Sequence, residues 1–281
     1  MRIRASVAVV TGALALTALA VPAAQAAEGP GAASVARSVV ADSVKTPTDE
    51  THGDTAISNV VVNGGKDVVL GTTTKKTFTV SFTAKDNSGI KWAQAILWHG
   101  PDFDHLDGGA VADSSDGRAA CTKVNATTST CKASFTVKAD VDLINSLAGG
   151  WKVWAIAQGT DGNYVQKDNV KGFRIQRLSK LTVNAAPEPV KKGKTITVTG
   201  ALTRANWETG KYAGYGTQSV KLQFKKKGAS AYTTVKTIKT STTGALKTTV
   251  TASVDGTFRY SFAGTSTTPA VNATGDYVDV Q

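Results

Sequence analysis

The sequence is short of the residues that carry chemistry. Its 281 residues include three histidines and two cysteines. No G-x-S-x-G elbow is present, so a serine nucleophile lacks its turn, and His52 falls in the predicted leader. His99 and His105 flank aspartates that could share a transition ion, but they match no zincin spacing and no nearby glutamate serves as a base. No RRM, helix-turn-helix or OB signature marks a nucleic-acid module. Beyond the first 26 residues no apolar run is long enough to span a membrane. The leading segment holds no cysteine for lipid attachment, and Asp279-Val280-Gln281 forms no hydrophobic tail or sorting motif. These absences predict a protein that is not an enzyme and is released, or held only by non-covalent contacts.

The first 26 residues supply an address. Arg2 and Arg4 precede an uncharged stretch from Ala5 to Val21, and Ala24-Gln25-Ala26 offers small residues to a signal peptidase. That order predicts a signal peptide cleaved between Ala26 and Ala27, and a secreted, extracellular protein. In an oxidising compartment Cys121 and Cys131 are expected to form a disulfide. Their spacing is too wide for a CxxC redox site, and the ligands are too few for a zinc knuckle. The polar loop they close staples a hairpin or, alternatively, presents a tethered protease-inhibitor bait.

Charge is unevenly spread. Residues 28–50 carry two basic and four acidic groups, residues 51–177 carry 14 and 12, and residues 178–281 carry 14 and five. Outside a cell, a basic C-terminal half meets teichoic acid, acidic polysaccharide, lipid headgroups or free nucleic acid. The alternative is a solvated lysine surface that keeps the protein soluble.

Residues 27–54 are rich in Ala, Gly, Ser and Pro and read as a flexible leader. From there the texture is period-two. Phe78, Val80, Phe82 and Ala84 alternate with threonines and Ser81, and Trp151, Val153, Ala155 and Ala157 alternate with Lys152, Trp154, Ile156 and Gln158. Asp161-Gly162-Asn163 and Asp255-Gly256 read as hairpin turns. A helical turn is expected over 140–147, with Asp140 as N-cap and Gly149-Gly150 ending it. Val220, Leu222, Phe224, Phe258, Tyr260 and Phe262 repeat the strand pattern downstream. The fold class predicted is all-β: two tandem immunoglobulin-like β-sandwiches, residues 55–177 and 178–281, after the signal peptide (1–26) and the leader (27–54).

Some stretches carry a family likeness. Trp207-Glu208-Thr209-Gly210-Lys211-Tyr212, Val220–Phe224 and Asp255-Gly256-Thr257-Phe258-Arg259-Tyr260 resemble a secreted bacterial immunoglobulin-like accessory module of actinobacteria. Asp86-Asn87-Ser88-Gly89-Ile90, Leu97-Trp98-His99-Gly100 and Gly150–Trp154 are similar to an uncharacterised family of small secreted actinobacterial proteins. The resemblance spans about residues 55–281 and implies a non-catalytic extracellular module. Some relatives are labelled calcium-binding, which directs attention to the acidic segment below.

Two candidate sites follow. Asp102, Asp104, Asp107, Asp113 and Asp116 lie within fifteen residues of an otherwise basic chain. Such a loop could wrap calcium, though EF-hand spacing is absent; alternatively it is a solvated polar loop. Crowded wet carboxylates make poor glycosidase acids. Trp207, Lys211, Tyr212 and Tyr215 share a Gly-containing loop that could stack sugars and meet an acidic group, or Trp207 could pack over the end of the sandwich. The functional expectation is a secreted binding or structural protein contacting anionic wall or glycan through its basic half. A calcium-binding domain is the first alternative, and a secreted enzyme or inhibitor the second. No cofactor is expected unless calcium binds.

Overall fold

A computed structural model describes residues 49–281. The predicted signal peptide, its Ala26–Ala27 junction and the leader up to residue 48 lie outside the described residues. The rest divides into two compact units. One comprises the chain up to Val68, Lys75–Leu143 and Gly150–Ile175; the other comprises Val69–Thr74, Ile144–Gly149 and Gln176–Gln281. Two short segments that the sequence assigns to the first sandwich thus group with the second unit.

In the first unit β2 (Ala56–Val62), β4 (Lys75–Lys85), β8 (Thr128–Lys138) and β7 (Ala120–Lys123) form one antiparallel sheet, in the order β2-β4-β8-β7. The other runs β1 (Glu50–His52), β10 (Tyr164–Arg177), β9 (Gly149–Gly159), β5 (Ile90–His99) and β6 (Gly108–Val111); β3 (Val68–Leu70) also pairs with β10. Alternation decides which face is buried. Phe78, Val80 and Phe82 lie opposite Phe135, Ala133 and Cys131 on the inner face. They pack toward small residues of the facing sheet, Ala93, Ala95, Ala155 and Ala157, all fully buried.

The second unit repeats this architecture. β11 (Ser179–Leu181), β12 (Asn184–Ala186), β14 (Lys211–Gly214) and β17 (Ala245–Thr251) all pair with β13 (Thr195–Asn206). The facing sheet is ordered β16 (Thr233–Lys239), β15 (Ser219–Lys226), β18 (Gly256–Phe262), with β19 (Val271–Asn272) and β20 (Asp276–Val278) along the far edge of β18. Ile196, Val198, Leu202, Val220, Leu222, Leu246 and Tyr260 build its core. The Tyr260 hydroxyl donates to the Val198 carbonyl at 2.9 Å, and burial pushes its pKa up to about 12. Both units have the two-sheet order of an immunoglobulin-like sandwich.

Cys121 and Cys131 are joined by the expected disulfide, directly across the β7–β8 ladder with Cα atoms 4.0 Å apart. It staples neighbouring strands of one sheet, unlike the inter-sheet bond of antibody domains.

Several expectations change. The leader does not run to residue 54: Glu50, Thr51 and His52 pair with Gln166, Val165 and Tyr164. The Tyr164 hydroxyl donates to Glu50 at 2.8 Å and its ring lies 4.6 Å from that of His52, which fixes this short strand. The helical turn is shorter and differently capped. α1 covers Ala139–Asp142, and a separate 3-10 turn covers Asn145–Leu147. Lys138 sits at the N-cap, and the Asp142 carboxylate reaches back to accept its N–H at 2.7 Å. Asp140 cannot cap because β8 runs extended up to Lys138. Asp161-Gly162-Asn163 is a hairpin turn, with Gly162 at φ 96° and Gly159 N–H donating to Asn163 O at 2.8 Å. Asp255-Gly256 is not, because β17 and β18 lie in different sheets. Gly256 answers a packing need: a Cβ there would stand 2.3 Å from the Phe224 ring.

Candidate functional site

The acidic segment links β5 to β6, and its carboxylates do not converge. The Asp102 Oδ1 accepts from His105 Nδ1 at 2.7 Å and from the backbone N–H groups of Asp104 and His105. The bond from His105 outweighs the opposing effect of burial and, with the His105 charge and the two backbone N–H bonds, holds the Asp102 carboxyl below the usual range. Asp107 engages His99 Nδ1. Asp113 accepts from the Thr136 N–H at 3.0 Å and hydroxyl at 2.8 Å, and Asp116 accepts from Arg118 N–H at 3.0 Å. Each of these oxygens serves a local turn or a neighbouring strand. Among the described residues these five carboxylates form no single cluster of ligand atoms, and Asp102, Asp107, Asp113 and Asp116 each hold a separate local partner.

Among the described residues, the group with ligand atoms within 4.8 Å of one another is Asp54, Asp86 and Asp161. Asp86 is buried and already accepts from the Thr55 hydroxyl and from the Ser88 N–H and hydroxyl. Burial acts to raise its pKa, but these bonds outweigh burial and hold it below the ordinary value. It therefore has a structural job, tying the turn before β5 to the entry of β2.

Phe103, from the same acidic segment, makes it a cover rather than a free loop. Its ring lies 5.3 Å edge-on to Trp98 and 6.4 Å from Trp154. Ile96, Trp98, Phe103 and Trp154 form a second small core on the outer face of the β5–β9 sheet. Lys152 closes it, with Nζ 4.0 Å above the Trp98 ring and 2.8 Å from the Gly100 carbonyl. The signal was present: Trp98, Trp154 and Ile156 are apolar at positions where a one-sided strand would be polar.

The Trp207 loop is also corrected. Trp207 is fully buried, its Nε1 donates to the Gly71 carbonyl at 3.0 Å, and its own N–H meets Asn145 Oδ1 at 3.1 Å. A ring enclosed on both faces stacks no sugar. Lys180 Nζ lies 3.8 Å over Tyr212, and the Arg204 guanidinium lies 3.9 Å over Tyr215. Burial pulls both guanidinium pKa values down, that of Arg177 to about 10. Of the four predicted residues Lys211 is exposed, Tyr212 and Tyr215 are half-buried beneath their cations, and Trp207 is enclosed.

A different surface gathers charge. In the sheet built on β15, Val220, Leu222, Tyr260 and Phe262 point inward. Strand parity sends the intervening residues to the opposite face. These are Ser219, Lys221, Gln223 and Lys225 on β15, Thr234, Thr237 and Lys239 on β16, and Thr257, Arg259 and Ser261 on β18. Pairing sets Ser219 beside Lys239, Lys221 between Thr237 and Ser261, and Gln223 beside Arg259. Four cations and six neutral polar groups share these outward positions of the three strands, and no carboxylate is among them. Asp276 pairs with inward Phe258 and turns inside, where its Oδ2 accepts from Ala185 N–H at 2.7 Å. Lys225 and Lys226 lie within β15; Lys227 follows and pairs with Asp255 at 3.2 Å.

No family model matches the chain, and no curated protein matches it. Solved structures give a weak likeness to immunoglobulin-like domains. The D00-D0 domain of intimin is 14% identical, with a TM-score of 0.26, over 79% of this chain and 99% of that one. The mouse nectin-like molecule 4 ectodomain is 13% identical, with a TM-score of 0.25, over 83% and 66%. The polymeric immunoglobulin receptor ectodomain of a teleost fish is 13% identical, with a TM-score of 0.23, over 79% and 98%. Scores this low add nothing to the fold assignment, which rests on strand order, and they bring no partner with them.

Proposed function

We propose that the chain is an exported, non-catalytic binding module that contacts anionic wall polymer or extracellular glycan through its basic C-terminal sandwich. The observation that carries this reading is the outward face of the β15 sheet: Lys221, Lys225, Lys239 and Arg259 with no carboxylate to neutralise them. A soluble surface needs mixed charge, whereas a face of one sign concentrates polyanions and steers them. The cleavage site after Ala26, the two sandwiches at 55–177 and 178–281, and release into the medium belong to the same proposal. The Cys121–Cys131 disulfide fits an oxidising compartment.

The test is sedimentation of the full mature chain with purified cell wall at low salt. Retention released by added salt supports the reading. A chain that stays in the supernatant at low salt overturns it.

A further inference from the structure

Resting on that reading, we infer that the cationic face takes a linear phosphodiester polymer laid obliquely across three strands. Lys239, Lys221 and Arg259 fall on one diagonal. Lys239 stands beside Ser219, two residues before Lys221 on β15; Arg259 stands beside Gln223, two residues after it. Each step is one strand across and two residues along, so successive Cα atoms are about 8 Å apart. Tyr277, opposite Thr257, occupies the next position on the same diagonal and is exposed. Lysine ammonium groups on long stems meet phosphates as point charges, and the Arg259 fork grips one more tightly. Ser219, Thr237 and Ser261 flank the row with hydroxyl donors.

The same face disfavours ring-bearing polyanions. The Tyr232 ring carries Arg259 at 3.8 Å and Lys225 at 5.1 Å, so cations occupy that ring, and the Tyr277 side chain at the end of the row is held by Lys227 and Asp255. Arg259 Nε is also held by Gln223 at 2.8 Å, which fixes the guanidinium in the row. The favoured ligand therefore carries its phosphates on a flexible chain without rings, as in a poly(polyol phosphate).

The experiment measures binding of the full mature chain to poly(glycerol phosphate), polygalacturonate and oligo(dT) across a salt series. Poly(glycerol phosphate) is expected to bind at least about tenfold more tightly than polygalacturonate or oligo(dT). Lys221→Gln, Lys239→Gln and Arg259→Gln are each expected to lower the log–log salt slope by about 1. Lys247→Gln, on β17 in the other sheet, should leave the slope unchanged. Equal binding of polygalacturonate or oligo(dT), or row variants that match Lys247→Gln, overturns the phosphodiester inference while the broader reading stands. If none of the three polymers binds at low salt, the polyanion reading itself fails.

Discussion

Replacing Trp207 by phenylalanine separates a structural tryptophan from a ligand platform. The indole is fully enclosed and its Nε1–H satisfies the Gly71 carbonyl at 3.0 Å. Phenylalanine keeps an aromatic ring but removes that donor and part of the ring volume. An orphaned buried carbonyl costs about 1–3 kcal/mol, and the residual cavity adds to it, so a loss of about 2–3 kcal/mol is expected. For a unit of this size that lowers the transition by roughly 8–12 °C. Calorimetry measures it directly, with circular dichroism as a second probe because fluorescence loses its reporter. Polymer retention by the folded variant should equal that of the original protein. A transition unmoved within about 2 °C, or retention lost from an equally stable protein, would refute the packing account.

Two further outcomes follow from local chemistry. Asp168 has a buried Oδ1 without a partner among the described residues, and burial, with the charges of Asp49 and Asp104, raises its pKa. A raised folded pKa favours the neutral acid, so this residue's contribution is present at low pH and lost as pH climbs through the carboxylate range. Asp168→Asn should be more stable than the original protein near pH 7, with the gap closing at about pH 3; a urea midpoint that moves equally at both pH values contradicts this. Cys121→Ala with Cys131→Ala opens a loop of sequence separation 10, and loop-closure entropy gives a loss of about 3 kcal/mol. An unchanged urea midpoint would show that the β7–β8 ladder needs no staple.

How much was legible depends on the range of the determinant. Period-two alternation in 78–84 and 151–157 is a local property, and both stretches are strands buried on the expected parity. The two cysteines, with the export expected from the first 26 residues, led to the expected disulfide. The strand at Glu50–His52 escaped because three residues show no period, and its partners lie more than a hundred residues downstream. The sequence left open whether Trp207 packs or stacks sugars because its acceptor, Gly71, is 136 residues away. Asp255-Gly256 carried the composition of a hairpin without its topology, since the strands it joins part into opposite sheets. The basic face shows the same limit. The excess of lysine was plain in 178–281, but its line across Lys239, Lys221 and Arg259 exists only once β16, β15 and β18 are in register.

The most direct measurement of the central claim is retention of the full mature chain on purified wall polymer as salt is raised, compared with a Lys221→Gln, Lys225→Gln, Lys239→Gln and Arg259→Gln variant. The account predicts retention at low salt for the original protein, release on adding salt, and little retention of the folded variant at any salt. Retention of that variant equal to the original would contradict it.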